Sequence, residues 1–310
     1  MKKRKEKLKK IVFVAKHNRS FVKNDKRMLS KHYKITTDTS RKSIKNADMV
    51  YCWFASTHAI KPLIYARWYD KPFVVVTGGY DVAYLPGKHS YGLATSHILK
   101  HIPKYILKHS SLILTVSDFN TQETKRLTKN HNMVCIPNSI VVNPTRVYKK
   151  ENIVITVGYV DDVSYHRKGI DRFIKAAELM PDVNFYIIGK VKTRYMPKKL
   201  PSNLQMMGYV DNLEEWYKKA RVYCQFSRYE SFGLSVIEAM NYGCIPVVFN
   251  AGALPEIVGE YGIISNSEDS LDKDIYNALS MKQKPGLVDW LSQFDNKHRE
   301  KKIIEVIENL

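Results

Sequence analysis

The sequence predicts an α/β protein made of two doubly wound domains, each built on a parallel β-sheet. Three observations support this fold class. Short apolar runs alternate with longer amphipathic segments, the pattern restarts after a polar stretch at 142–152, and 310 residues suffice for two hydrophobic cores. Strands of four to seven apolar residues that alternate with helices are typical of parallel sheets covered on both faces.

In the first half, five apolar runs predict buried strands, and the segments between them predict helices. The strand segments are KIVFVA (10–15), ADMVYCWF (47–54), PFVVVTGG (72–79), SLILTVS (111–117) and NMVCIPNS (132–139). Helices are predicted at 23–32, 58–69 and 119–129. Ser117 or Asp118 is expected to cap the last of these helices.

The second half repeats this alternation. Its strand segments are NIVITVG (152–158), NFYIIG (184–189), LQMMGYV (204–210), RVYCQF (221–226) and IPVVF (245–249). Helices are predicted at 169–180, 213–220, 233–242 and 268–281. We therefore expect a first domain at 1–148, a second domain at 149–290, and a C-terminal helical segment at 291–310. That segment either caps the second core or crosses back toward the first domain.

The net charge of +20 is confined to one half of the chain. Residues 1–150 hold 30 Lys and Arg against 8 Asp and Glu, whereas residues 151–310 hold 20 against 22. Such asymmetry indicates that the first half meets an anionic partner, which leaves acidic lipid headgroups, nucleic acid and a phosphorylated substrate open. A lysine-rich surface that is merely solvated is the simpler alternative.

The sequence favours a cytoplasmic protein. No apolar run approaches the roughly 20 residues needed to span a bilayer. The start resembles a signal peptide, but its apolar part, IVFVA, is shorter than the roughly 7 to 15 residues of such a leader. We interpret residues 1–10 as a basic lead-in to the first strand. The four cysteines show no metal or redox spacing, so buried reduced thiols are expected.

A pair of glutamates marks the candidate site, in the stretch RYESFGLSVIEAMNYGCIPVVFN (228–250). We predict a strand at 222–226, a loop at 227–232, and a helix from about Gly233 with Ser231 as its N-cap. The loop then lies at the carboxyl end of the sheet, where doubly wound folds bind ligands. The free N–H groups at the helix start favour an anion, and Glu230 and Glu238 offer acceptors for ligand hydroxyls. A sugar and a ribose joined by a diphosphate would use all three features.

These residues resemble the signature of family 4 retaining glycosyltransferases, which have the GT-B architecture of two Rossmann-like domains that face each other across a cleft. The spacing of the glutamates in YESFGLSVIEAMNYGCIPVV carries the resemblance. Further matches follow in order, namely VGYV with RKGIDRFIKAAELMPDVNFYIIG (157–189), MMGYVDNLEEWYKKARVYCQFS (206–227) and GALPEIVG (252–259). The resemblance covers most of the chain and is specific from about 153 to 260.

The resemblance implies a role for each matching residue. Glu230 would contact the transferred sugar, Glu238 would hold the ribose hydroxyls, and Lys168 would neutralise the departing diphosphate. Tyr159 stands where many members carry an Arg, so Arg167, next to Lys168, is the expected substitute. The implied catalytic residues are Glu230, Lys168 and Arg167, and the implied donor-binding residues are Glu238, Ser231, Phe232, Gly233, Leu234, Gly158 and Tyr209. No metal and no cofactor are expected.

The acceptor side departs from the family pattern. Many members have a His in T-x-H at the end of an early strand, where this chain reads TGGYD (77–81). We expect the acceptor site to use Gly78, Gly79 and Asp81, with His58 as a weaker candidate. The implied acceptor is a glycan or glycolipid, and SHILKHIPKYILKHSSLIL (96–114) is either a contact with an anionic membrane or an ordinary core helix.

Three hypotheses follow. The leading one is a retaining, metal-independent glycosyltransferase that takes its sugar from a nucleotide-diphosphate donor and works on the inner face of the cytoplasmic membrane. The second is a GT-B scaffold that binds nucleotide sugars without turning them over, and the third is a nucleic-acid or other polyanion binder. No nucleic-acid-binding motif occurs in the sequence, so nucleic acid is not expected as a partner.

Overall fold

A computed structural model of the protein describes residues 9–87, 89–142 and 148–310. The chain forms two units: one extends to Ser139 and also includes Lys297–Leu310, and the other is Ile140–Asn296. The sequence prediction placed the boundaries later, at 148/149, and earlier, at 290/291. Backbone hydrogen bonds explain the difference, since Ile140 N–H donates to the Phe294 carbonyl and the Asn296 N–H donates to the Ile140 carbonyl, both at 2.9 Å. Residues 1–8 of the predicted basic lead-in and 143–147 of the predicted linker lie outside the described residues.

The first unit is built on a six-stranded, all-parallel sheet with the order β2-β1-β3-β4-β5-β6. Its strands are β1 (Lys10–Val14), β2 (Lys34–Thr36), β3 (Met49–Trp53), β4 (Phe73–Val76), β5 (Leu112–Thr115) and β6 (Met133–Cys135). Its helices up to this point are α1 (Ser20–Leu29), α2 (Arg41–Lys45), α3 (Thr57–Trp68), α4 (His101–His109) and α5 (Asp118–Lys125), and Leu93–Thr95 forms a 3₁₀ turn. Strand order reverses direction between β1 and β3, which makes this the switch point of the sheet.

The five strands predicted for this half are confirmed, and β2 was missed because only three residues form it and none is fully buried. The predicted cap is also confirmed, since the Asn120 N–H donates to Ser117 Oγ at 2.9 Å at the start of α5. The core lies between the sheet and its helices, with Val12, Val50 and Val75 fully buried.

The second unit contains another six-stranded parallel sheet, with the order β11-β9-β7-β12-β13-β14. Its strands are β7 (Glu151–Val157), β9 (Asn184–Ile188), β11 (Leu204–Gly208), β12 (Ala220–Gln225), β13 (Ile245–Phe249) and β14 (Ile263–Ser265), while β8 (Val160–Asp161) and β10 (Val191–Lys192) pair separately. The helices are α6 (Ser164–Arg167), α7 (Ile170–Leu179), α8 (Leu213–Lys219), α9 (Leu234–Asn241), α10 (Leu254–Val258), α11 (Leu271–Ser280) and α12 (Leu287–Ser292). This order is that of the dinucleotide-binding folds, with its switch point between β7 and β12.

Five of these strands and four of these helices were predicted from the sequence. The prediction missed β14, a short strand at the edge of the sheet, and α10, a single turn and a half whose second residue is a proline. The core is again continuous from sheet to helices, with Phe173 and Phe185 in edge-to-face contact at 5.3 Å between ring centroids.

The last helix, α13 (Asn296–Glu308), packs on the first unit. Its Arg299 is almost fully buried and forms a two-pronged ion pair with Asp25 of α1, at 2.7 and 2.8 Å. Tyr51 and Trp53 donate to the same carboxylate at 2.8 and 3.0 Å, so every oxygen of Asp25 is hydrogen-bonded. The helix is therefore part of the first unit's core.

Across the described ranges, no helix combines the length and the apolar character needed to cross a bilayer.

Candidate active site

The predicted donor-site residues gather at the carboxyl edge of the second unit's sheet, around the switch point between β7 and β12. Gly158 follows β7, and the loop that carries Glu230 follows β12. Because the loops from these two adjacent strands run in opposite directions from the switch point, they leave a crevice for a ligand.

Lys168 lies directly against Gly158. A methyl group in place of a hydrogen on Gly158 would come within 2.5 Å of the Lys168 ammonium nitrogen. The following glycine, Gly169, adopts the left-handed conformation (φ +68°), and a Cβ there would collide with the carbonyl of Phe226 at the end of β12. The start of α7 is thus pressed against β12, and this packing holds the lysine at the switch point.

The loop that carries Glu230 is fastened on both sides. On one side, the Arg228 N–H donates to the Arg167 carbonyl at 2.7 Å. On the other, the Ala253 N–H donates to the Glu230 carbonyl at 2.9 Å, and Gly252 packs so closely on the Glu230 backbone that a Cβ would not fit. The GALPEIV segment therefore supports the first glutamate, while the RKG segment holds the loop from the other side.

A buried glutamine of β12 holds the side chain of Glu230. Gln225 Nε2 donates to Glu230 Oε2 at 2.8 Å, and Gln225 Oε1 lies 2.9 Å from the Tyr223 hydroxyl and 3.1 Å from the Ser235 hydroxyl. An ionised carboxylate only accepts hydrogen bonds, whereas hydroxyls also donate, so this orientation of the amide satisfies both ends. The chain of bonds connects Glu230 to the first turn of α9.

The second glutamate occupies a drier position. Tyr217 of α8 donates its hydroxyl to Glu238 Oε2 at 3.2 Å. Burial raises the pKa of the Glu238 carboxyl, and the hydrogen bond from Tyr217 offsets only part of that rise. Glu238 is half-buried on a helix whose neighbours on either side, Ile237 and Ala239, are fully enclosed. Its carboxylate is therefore held in place rather than freely solvated.

The start of α9 differs from the prediction. Ser231 was expected to be the N-cap, but the helix begins at Leu234 and Gly233 takes the cap position in a left-handed conformation (φ +108°). Val236 is the first residue whose N–H bonds back to the Gly233 carbonyl, so the N–H groups of Leu234 and Ser235 precede the first bond within the helix. Ser231 is buried within the loop, three residues before the helix begins.

Phe232 and Tyr209, two other predicted donor contacts, differ in their exposure. Phe232 is buried and packs edge-to-face against Phe294, with 5.8 Å between ring centroids, so its side chain is enclosed in the protein. Tyr209 follows β11 at the same edge of the sheet and is 79% exposed. Tyr159, which stands where the family pattern has an arginine, is also exposed.

Four charged residues in and around the loop were not singled out in the sequence. Arg228 bonds to Asp171 at 2.9 Å, and Arg172 bonds to Glu268 at 2.6 Å and to the Phe226 carbonyl at 3.0 Å. Burial would raise the pKa of Asp171, but hydrogen bonds from Arg228 and His166 reverse the effect and lower it. The network anchors the end of β12 to α7. No local pattern signals it, because Asp171 and Arg172 bond to residues distant in sequence.

The predicted acceptor-side residues form a structural cluster in the first unit. Asp81 is only 1% exposed, and its oxygens accept hydrogen bonds from the N–H groups of Ala55, Gly78 and Gly79 at 2.9 to 3.2 Å. Gly78 faces the ring of Phe54, which would collide with a Cβ. Asp81 therefore ties the loops after β3 and β4 together, and its contact with the acceptor stays a prediction.

His58 begins α3 and is half-buried. Its Nε2 lies 2.9 Å from the Trp53 carbonyl, and its Nδ1 lies 3.2 Å from Ser56 Oγ. Burial lowers the pKa of His58, the Trp53 carbonyl opposes this shift, and the nearby Lys16 and His17 lower the pKa further.

Within the described part of the chain, no group of three or more His, Cys, Asp or Glu side chains is placed to hold a metal ion. The adjacent Asp161 and Asp162 are used locally. Asp161 accepts from the N–H and hydroxyl of Ser164 at the start of α6, and Asp162 accepts from Thr193 and pairs with Arg194.

Comparison with known proteins identifies this architecture. Residues 141–286 match the family model of the group 1 glycosyl transferases. The whole chain superposes on the crystal structure of Anabaena Alr3699/HepE in complex with UDP and glucose, with a TM-score of 0.72 at 15% identity over 97% of this chain and 100% of that one. The fold is therefore GT-B, and the match to the group 1 glycosyl transferase model lies within the second unit.

Among curated proteins, the chain is similar to a glycogen synthase of Petrotoga mobilis, at 28% identity over 48% of this chain and 34% of the synthase. It is also similar to the O-antigen chain mannosyltransferase B of Escherichia coli, at 36% identity over 24% of this chain and 21% of that enzyme. The matches thus span about a third or less of these relatives' length.

Proposed function

We propose that the protein is a retaining glycosyltransferase that moves a sugar from a nucleoside-diphosphate donor to a hydroxyl of a glycan or glycolipid acceptor. One observation carries the proposal. The Lys168 ammonium lies against Gly158 at the switch point of the second sheet, beside the loop of Glu230 and the free N–H groups of α9. A cation and helix N–H groups suit a diphosphate, and a fixed carboxylate suits sugar hydroxyls.

The proposed reaction assigns a task to each group. The bond between the anomeric carbon and the diphosphate oxygen breaks, the electron pair leaves with the diphosphate, and Lys168 stabilises that charge together with Arg167. The acceptor hydroxyl bonds to the same face of the anomeric carbon, and its proton passes to a departing phosphate oxygen. Glu230 holds the sugar during transfer, and Glu238 accepts hydrogen bonds from the ribose hydroxyls.

The relatives support this proposal from two sides. The similar curated proteins are named as a glycogen synthase and a mannosyltransferase, and both names describe the transfer of a sugar. The HepE structure contains UDP and glucose, so UDP is the first nucleotide to test here. Retention, independence from metals, and an acceptor from the synthesis of a cell-surface polysaccharide or glycolipid remain predictions from the sequence resemblance.

An exposed face of the first unit supports a lipid-linked acceptor. Ile98, just before α4, is 80% exposed, and Trp68, the last residue of the neighbouring α3, is 65% exposed. Burial lowers the pKa of His109, and Arg67 of α3 and Lys108 of α4 lie near enough to lower it further. Apolar side chains among cations fit the headgroup region of an anionic membrane, and we propose that this face rests on the cytoplasmic membrane.

Liposome sedimentation tests the membrane contact. Trp68→Ser should reduce binding to anionic vesicles at low salt, while Tyr209→Ser, which changes a more exposed aromatic residue in the other unit, should not. Equal binding by both variants and by the wild type would contradict the assignment of this face.

The donor site is tested by thermal shift with UDP, GDP and ADP and their common sugar conjugates. We expect one nucleotide to stabilise the wild type in proportion to its concentration. Lys168→Gln and Glu238→Gln should lose this stabilisation. Lys198→Gln, which changes an exposed lysine of the same unit, should keep it.

The outcomes separate the three hypotheses. Stabilisation together with release of a nucleoside diphosphate supports a transferase. Stabilisation without turnover, tested against a range of glycan and glycolipid acceptors, indicates a binding scaffold. No stabilisation by any nucleotide, together with salt-sensitive binding to nucleic acid, would indicate a polyanion binder.

A further inference from the structure

The first unit contains an open pocket of about 450 Å³ at the carboxyl edge of its sheet. Lys16, His17 and Asn18 line it from the loop after β1, Lys26 from α1, and His58 from the start of α3. The threonines at 37 and 39, after β2, complete the polar wall. The pocket therefore lies at the switch point between β1 and β3, which corresponds to the position of the donor site in the second unit.

The ionisable side chains that line this pocket are all basic. Among the described residues that line it, two are lysines and two are histidines, and none is an aspartate or glutamate. Neither Lys16 nor Lys26 forms an ion pair with a described residue, in contrast to Lys31 on the next turn, which pairs with Glu300 at 2.6 Å. The threonine hydroxyls and the Asn18 amide add neutral hydrogen-bond donors.

Two basic residues of the pocket lie close to His58. Lys16 and His17 both lower the pKa of His58, in addition to the effect of burial, so their charges reach the same space. Like charges placed together without a counter-ion are unfavourable, and a bound anion relieves that repulsion. The first turn of α1 also lacks an acidic residue, and its first intrahelical bond runs from Lys23 to Arg19.

We propose that this pocket binds a phosphate or diphosphate group, and that in catalysis the group belongs to the acceptor. The second clause rests on the proposed glycosyl transfer, whereas the first does not. Because the donor site lies in the other unit, the two sites use no residue in common.

His58 provides a local readout. With the histidine rings labelled and followed by NMR, inorganic pyrophosphate should raise the pKa of His58, since an anion favours the charged imidazolium. His109, which also lies among cations but outside the pocket, should shift much less. Sodium chloride at the same ionic strength is the control for screening.

Matched double variants test the lysines. Lys16→Gln with Lys26→Gln should weaken pyrophosphate binding roughly tenfold, as expected for two partly solvated charge contacts. Lys23→Gln with Lys34→Gln removes the same charge from α1 and β2, outside the pocket, and should change the affinity less than about twofold. Thermal stabilisation by UDP should be the same in both, which separates this site from the donor site.

Inorganic phosphate and phenyl phosphate, at equal concentration, distinguish two sources of the ligand. A stronger response to the ester supports a phosphate carried by an organic acceptor, and equal responses support an inorganic phosphate site. Unchanged titration of His58, or equal weakening in the two double variants, would overturn the proposal.

Discussion

The buried ion pair between Asp25 and Arg299 allows the sharpest prediction of stability. In Arg299→Met, the side chain keeps most of its length, so the change removes the charge and its five donors with limited loss of packing. The carboxylate of Asp25, 1% exposed, would then remain inside with only Tyr51 and Trp53 as donors. The carbonyls of Ile136 and Pro137 would also lose their bonds to the guanidinium.

The expected loss follows from this environment. Removing one partner of a buried ion pair leaves an uncompensated charge and typically costs about 3 to 5 kcal/mol in the free energy of unfolding. Domains are stable by about 5 to 15 kcal/mol, so the loss is a large share of the first unit's stability. Lys31→Met is the matched control, because it breaks the more exposed pair with Glu300 of the same helix and should cost about 1 kcal/mol or less.

Hydrogen exchange with mass spectrometry assigns the loss to a unit. In Arg299→Met, peptides from the core strands of the first unit should lose protection equivalent to about 3 to 5 kcal/mol, whereas those from β7 to β13 should not. A loss below about 1 kcal/mol, or one equal to that of Lys31→Met, would refute the reasoning.

Three further predictions concern the donor site. Gln225→Leu should lower kcat roughly 10- to 100-fold and change the donor KM less, because a hydrogen bond to the charged Glu230 contributes about 1.5 to 3 kcal/mol. An effect on KM alone would contradict a positioning role for Gln225. Gly158→Ala should leave the free energy of unfolding nearly unchanged yet weaken donor binding, because its methyl group displaces only the flexible end of Lys168. Gly189→Ala should destabilise the fold, because its Cβ would meet backbone atoms at φ +127°. Urea titration distinguishes the two variants. The raised pKa of Glu238 means that the folded state holds this proton more tightly than the unfolded state. The stability that this group contributes is therefore fully present below pH about 4.5 and is lost as the pH rises through the folded pKa. Glu238→Gln should remove this pH dependence from the free energy of unfolding measured from pH 4 to 7.

Local signals made the fold and the donor edge predictable from the sequence. Each apolar run is long enough to form a strand, and the glycines at 158, 189 and 208 end or follow three of them. The structure then brings Lys168 to Gly158 because both lie at the carboxyl edge of β7, a consequence of parallel order alone. The roles of these residues in catalysis stay predictions.

Other features could not be predicted because they depend on distant or hidden partners. Asp81 stands in a polar-looking TGGYD stretch, and nothing local shows that three backbone N–H groups surround it. Gln225 is concealed within an apolar strand, where its contact with Glu230 depends on the path of the loop. Ser231 is a good N-cap by type, but the left-handed Gly233 delays the helix.

The position of α13 also determines the order in which the units can be completed during synthesis. Asp25 and Arg299 are 274 residues apart, and all of Ile140–Asn296 is translated between them. The second unit is continuous in sequence and has all its residues before the first unit receives its last helix. Domains generally fold from the N-terminus onward as the chain emerges. Here the unit that begins first is completed last, and until then Asp25 lacks its cation.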